Sequence, residues 1–218
     1  MSVLQKSDVT IPVGEVFLKG ILTMPEEASG IVIFAHGSGS SRLSRRNNYV
    51  ADILVDRGFG TLLFDLLTLE EDKVYENRFN ISLLTDRLVQ VTDWLKDKAA
   101  YRYKKIAYFG ASTGAAAALK AAAHLPEDIN AVVSRGGRPD LVSADELARV
   151  KAPTLLVVGS NDAAVIEFNR NAYSALECDK KIEIVPGATH LFEEPGTLER
   201  VSELAANWCE RYLFDEQA

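Results

Sequence analysis

A chain of 218 residues, 47% apolar and 25% charged, is long enough for one globular domain whose core needs no disulfide or metal staple. Its net charge of -7 and pI near 5.1 argue against nucleic acid or an anionic membrane as partner, because both would be repelled overall. No segment approaches eighteen uninterrupted apolar residues, and the start, MSVLQKSDVTIPVGEV, has no leader pattern, so the expectation is a cytoplasmic protein.

Along the chain, DVTIPV and EVFLKGILTMP alternate in polarity on either side of Gly14, which predicts a hairpin. Six short runs follow: GIVIFA, GTLLFD, KIAYF, INAVVS, PTLLVVG and KIEIVP. Apolar runs without alternation suit strands covered on both faces, so a mostly parallel sheet with helices on both sides is expected. After GTLLFD, the stretch DLLTLEEDKVYENRFN (65–80) is acidic and has no period, and is read as a solvated loop more than a site. In NISLLTDRLVQVTDWLKDKAA, Ile81, Leu84, Leu88, Val91 and Leu95 fall at steps of three and four, giving one apolar helical stripe. The last segment repeats that pattern through Leu198, Val201, Leu204, Ala205 and Trp208. With no repeat, linker or shift of composition, residues 1–218 read as a single domain. The two cysteines, Cys178 and Cys209, make no metal cluster and are expected to be free thiols in or near packing.

The stretch KIAYFGASTGAAAALKAAA (105–123) carries the chemistry. An apolar run stops at Gly-Ala-Ser-Thr-Gly and passes directly into a helix-forming tract, with Ser112 at the junction. Ser112 could be only a helix cap in a tight turn. The alternative is a nucleophile elbow, GxSxG, in which a strained turn holds the serine oxygen out at the end of a sheet. Glycine at both 110 and 114 favours the elbow, since a capping serine does not need both.

A serine hydroxyl needs a base, usually a histidine oriented by a carboxylate. His190, in VPGATHLF, follows the last strand-like run, and Asp162, in VVGSNDAAV, follows the one before it. The order Ser112, Asp162, His190 fits the elbow-type hydrolases, and parallel strands would bring all three to one sheet edge. Taken singly, His190 could be a surface-loop residue and Asp162 a helix N-cap. Asp140, Asp145 and Glu193 are weaker candidates for the acid. An oxyanion needs backbone donors, and the loop AHGSGSS after GIVIFA nominates the N–H of Ser38 together with that of Thr113. His36 is read as a structural residue orienting that loop, and His124 as a favourable charge at a helix end.

With these residues in place the chain resembles the α/β-hydrolase superfamily, and within it the dienelactone-hydrolase-like group. FAHGSGSSRLSRRN, YFGASTGAAAAL, VVSRGGRPDL and VPGATHLFEEPGTLE are most similar to a hydrolase-type domain that some proteins fuse to a phosphoribosyltransferase domain, which these 218 residues do not include. The resemblance implies an α/β-hydrolase fold and a Ser112, Asp162, His190 triad acting on esters or related acyl compounds, without metal or organic cofactor. Dienelactone hydrolases commonly carry cysteine at the nucleophile. Serine here favours a general carboxylesterase. The dozen or so residues between VVSRGGRPD and PTLLVVG leave no room for a large cap, so small acyl groups on an open site are expected.

Arg42, Arg45 and Arg46 follow the oxyanion loop, and Arg135 and Arg138 follow the strand after the elbow helix. They are either solubilising residues paired with acidic neighbours such as Asp140, or, for Arg42 and Arg135, substrate-binding residues that clamp a carboxylate or phosphate. The expected partner is a small-molecule ester. An exposed edge or apolar patch would allow a homodimer. The rival reading from another class is a binding or regulatory module that keeps the site but catalyses weakly, and transfer to an acceptor other than water uses the same residues.

Overall fold

The structure, a computed structural model, describes residues 4–214. Eight strands form one sheet in the order β1-β2-β4-β3-β5-β6-β7-β8. The strands β1 (Leu4–Val13) and β2 (Val16–Pro25) make the expected hairpin, and Gly14 in the turn has φ of 58°. Antiparallel pairing joins β2 to β4 (Gly60–Phe64). From there the sheet is parallel through β3 (Gly30–Ala35), β5 (Lys105–Ala111), β6 (Ile129–Arg135), β7 (Thr154–Gly159) and β8 (Lys180–Val185).

The apolar runs are explained by a core on each face. In β3, Ile31, Ile33 and Ala35 pack into one core and Val32 and Phe34 into the other, as the period of two requires. The first core is closed by α3 (Ile81–Lys96), α4 (Thr113–His124), α5 (Ala144–Ala148) and α6 (Ala163–Ala175). The second is closed by α1 (Arg45–Asp56) and α7 (Thr197–Leu213). All five stripe residues of α3 are buried, each fully buried Leu or Val contributing roughly 1.5–3 kcal/mol. In α7, Val201, Ala205 and Trp208 are buried while Leu198 and Leu204 are half-buried. Both cysteines are free thiols; Cys209 is buried, which pushes its pKa up to about 12, and Cys178 is half-buried.

One expectation fails. Residues 65–80 are not a solvated loop: they hold α2 (Leu69–Asp72) and a 3₁₀ turn over Tyr75–Phe79. A capping box starts α2, the Thr68 hydroxyl accepting from Glu71 N–H and the Glu71 carboxylate from Thr68 N–H. Arg78 then grips the Asp72 carboxylate through Nε and Nη2 at 2.9 and 2.8 Å. Local polar bonds hold this stretch, and they leave no apolar period to read.

Between β6 and β7 lie only a 3₁₀ turn over Pro139–Leu141 and the short α5, so no cap domain is inserted there. Among the described residues, no helix is long and apolar enough to cross a membrane.

Candidate active site

Parallel strands share one carboxyl edge, and the chemistry-bearing residues collect along it. Ser112 follows β5 directly, with φ 51° and ψ −119°. A non-glycine residue in that region is strained by about 1–3 kcal/mol and persists only where its surroundings enforce it. Three bonds do so. Ser112 N–H donates to Arg135 O at 3.2 Å, and Ser112 O accepts from Ala115 N–H and Arg138 N–H, each at 3.1 Å.

The flanking glycines are required by space. A Cβ at Gly110 would stand 2.4 Å from Ala115 Cα, across the turn as expected. At Gly114 it would stand 2.2 Å from Ala35 O and 2.4 Å from His36 O, so the obstruction there is the neighbouring strand. The absent side chain lets α4 lie directly against the end of β3.

Ser112 occupies the cap position of α4 without making a side-chain cap bond. Its hydroxyl Oγ lies 3.3 Å from His190 Nε2, and His190 Nδ1 lies 2.6 Å from Asp162 Oδ2. Asp162 likewise sits at the start of α6 and makes no cap bond with its side chain. Its carboxylate is turned toward the histidine. The loops are pinned nearby, with Asn161 N–H donating to Ala188 O at 2.9 Å and Thr189 Oγ1 donating to Glu194 at 2.6 Å. A base bonded to a hydroxyl on one side and a carboxylate on the other can accept the serine proton and hold its own charge.

Ser38 borders Ser112 in a cavity of about 170 Å³ shared with His190 and the amino end of α1. Thr113 is the first residue of α4, where an N–H has no intrahelical acceptor. His36 is buried and holds the loop: its Nε2 accepts from Leu66 N–H at 3.0 Å and its Nδ1 donates to Gly37 O at 2.9 Å. Burial holds its pKa below the ordinary 6.5. The corrected stretch also reaches this loop, Asp72 and Arg78 lining a small gap with His36, Ser38 and Thr113.

The arginines divide. Arg42 is committed to Asp65, donating from its backbone N–H at 2.8 Å and from its guanidinium, so it braces the loop that follows β3. Arg138 makes a two-bond fork to Asp140, both at 2.8 Å, which is the pairing expected of a loop arginine. Arg46, which the sequence placed in the arginine cluster without a substrate-binding role, pairs with Glu193 at 2.5 Å and lines the cavity beside Ser112. Arg135 lines it too, only 7% exposed. Burial, with Arg46 as a nearby like charge, lowers its pKa to about 10, so it stays cationic at neutral pH.

A larger cavity of about 370 Å³ lies among Met24, Ala28, Tyr101 and Lys104, on segments that precede β3 and β5. It is at the opposite edge of the sheet from Ser112. Among the described residues, no group of three or more His, Cys, Asp or Glu is arranged to hold a metal ion.

Comparison with known proteins agrees with the fold. The chain is 54% identical over 205 residues to putative phosphoribosyl transferases of two Mycobacterium tuberculosis strains, a match that spans 94% of this chain but 46% of theirs. The crystal structure of a dienelactone hydrolase from Anabaena variabilis superposes with a TM-score of 0.93 at 53% identity, covering 96% of this chain and 98% of that one. Est1E from Butyrivibrio proteoclasticus shares the fold at 19% identity and a TM-score of 0.81, covering 94% of this chain and 98% of its own. The dienelactone hydrolase family model matches residues 18–213. On that match, and on the sheet order and edge described above, the chain belongs to the dienelactone hydrolase family, with the α/β-hydrolase fold.

Proposed function

We propose that this protein is a serine hydrolase of small esters, working as one domain through Ser112, His190 and Asp162. The observation that carries the reading is the bonded line from Asp162 through His190 to Ser112, at 2.6 and 3.3 Å, ending on a serine held in a strained turn. His190 Nε2 takes the Ser112 proton as Oγ attacks the ester carbonyl carbon. The N–H groups of Ser38 and Thr113 receive the oxyanion, and Asp162 steadies the imidazolium. As the tetrahedral intermediate collapses, His190 gives its proton to the leaving alkoxide and an acyl-Ser112 ester remains. Water then gives a proton to His190 and attacks the acyl carbon. The acid leaves and Ser112 regains its hydrogen.

The short β6–β7 connection and the cavity of about 170 Å³ favour compact acyl groups over long chains. Intact mass after exposure to a fluorophosphonate tests the mechanism. One adduct on the parent protein, absent from Ser112→Ala, is the expected result. A folded parent protein that takes no adduct refutes it.

A further inference from the structure

Arg135 stands where a core residue should. In β6 the period of two puts Ala131 and Val133 into the core under α1 and α7, and Arg135 continues that face at the strand's carboxyl end. Its side chain is more than nine-tenths buried, yet among the described residues no carboxylate pairs with it, and Nη1 has no hydrogen-bond partner. A buried cation without a counter-charge has lost its water and gained nothing in exchange, so an anion beside it is strongly favoured. Arg42 and Arg138, by contrast, have their acids.

The rest of the cavity has the same character. Arg46 spends one nitrogen on Glu193, while its Nε is buried and unpartnered. Ser40, Ser44 and Asn47 line the same wall, so the positive end of the twelve-residue α1 also faces the space. Among the described residues no acidic side chain lines this cavity, and Ser112 and His190 line it as well.

We infer that the cavity beside Ser112 is an anion subsite, in which Arg135, assisted by Arg46 and the start of α1, takes a carboxylate or phosphate carried by the substrate itself. The inference rests on the hydrolase reading for its link to turnover. The anion would complete the unpaired guanidinium and fix the scissile carbonyl against Ser112 through a two-bond fork.

Two measurements test it. The first is calorimetric titration of the intact protein with succinate and, separately, inorganic phosphate. The second compares kcat/KM for the 4-nitrophenyl monoester of succinate with that for 4-nitrophenyl butyrate, in the parent, Arg135→Met and Arg135→Lys. We expect one of the two anions to bind the parent and to bind Arg135→Met at least roughly tenfold more weakly, the span of a charge-assisted bond. The preferred anion identifies the substrate's group. For a carboxylate, the acidic ester is favoured at least about tenfold over the neutral one, and the ratio falls toward one in Arg135→Met, with Arg135→Lys between. For a phosphate, the preference appears with an ester bearing a phosphate tail. Binding of neither anion, with no preference for either acidic ester, overturns the inference on the parent protein alone, whether or not the variants fold. Cleavage of neutral esters in that case leaves the hydrolase reading standing. Arg135-dependent anion binding without any ester cleavage or fluorophosphonate adduct does the reverse.

Discussion

The backbone amide of Ser112 donates to the carbonyl of Arg135 at 3.2 Å, so the serine turn and the unpaired guanidinium are fixed to each other by the sheet's own ladder. Substitutions at the line of residues leading away from that turn should separate chemistry from folding. Asp162→Asn should lower kcat about ten-thousandfold for a neutral ester while unfolding at the same urea concentration, because the amide stabilises the wrong tautomer of His190. Steady-state kinetics beside urea titration checks this, and a loss under tenfold would remove Asp162 from the mechanism.

The turn itself stores energy. Ser112→Gly and Ser112→Ala both delete the hydroxyl, but only glycine reaches φ 51° and ψ −119° without strain. The glycine variant should be the more stable of the two by about 1 kcal/mol, after allowing for its greater freedom when unfolded. Thermal unfolding of the pair measures the difference. Equal stabilities would mean that the turn is unstrained.

Gly114→Ala should be among the most damaging single-methyl additions in the chain. The new Cβ meets two backbone carbonyls of the β3 end, and neither can rotate away as a side chain would. A loss of roughly 3 kcal/mol is expected, with an unchanged urea m-value. Crystallography of the variant should find α4 displaced from β3.

His36 gives stability a dependence on pH. Its folded pKa lies below the unfolded value of 6.5, so the unfolded chain takes up a proton first as the solution is acidified. The contribution is therefore complete above pH 6.5 and is lost as pH falls toward the folded pKa, at up to about 1.4 kcal/mol per pH unit. Urea midpoints at pH 7.5 and 5.5 should converge between the parent and His36→Gln as the acid side is approached. Parallel curves would show that the two hydrogen bonds at His36 do not hold it neutral.

Much of this architecture can be read before any coordinate is known. GIVIFA and TLLVVG are buried at every position, and a run of that kind fits only a strand covered on both faces. Ser112, Asp162 and His190 could be nominated because each follows a strand-like run, although the one before His190 is the edge strand β8, in which only Val185 is buried. The arginines show where reading stops. Arg42 and Arg46 lie four residues apart, the first in the loop before α1 and the second in its first turn, and nothing local says that the first meets Asp65 while the second reaches the cavity. That outcome depends on where β4 ends relative to β3, a tertiary fact. Arg135 did carry a signal, since it closes INAVVSR on the register of Ala131 and Val133. The stretch over α2 had none, because a four-residue helix held by caps and ion pairs has no hydrophobic period.

The bed of small side chains under the nucleophile has a consequence for how the protein would fail. Ala115 to Ala118 are wholly buried between the sheet and the layer of α3 and α5, so the amides after Ser112 exchange with deuterium only when the whole domain opens. His190 hangs from a loop with exposed neighbours at Thr189 and Leu191, tethered by Glu193 and Glu194 at the surface. Warming should therefore release the base before the nucleophile. Activity would fade reversibly below the melting temperature, with exchange rising first across residues 187–195 and last across 113–123.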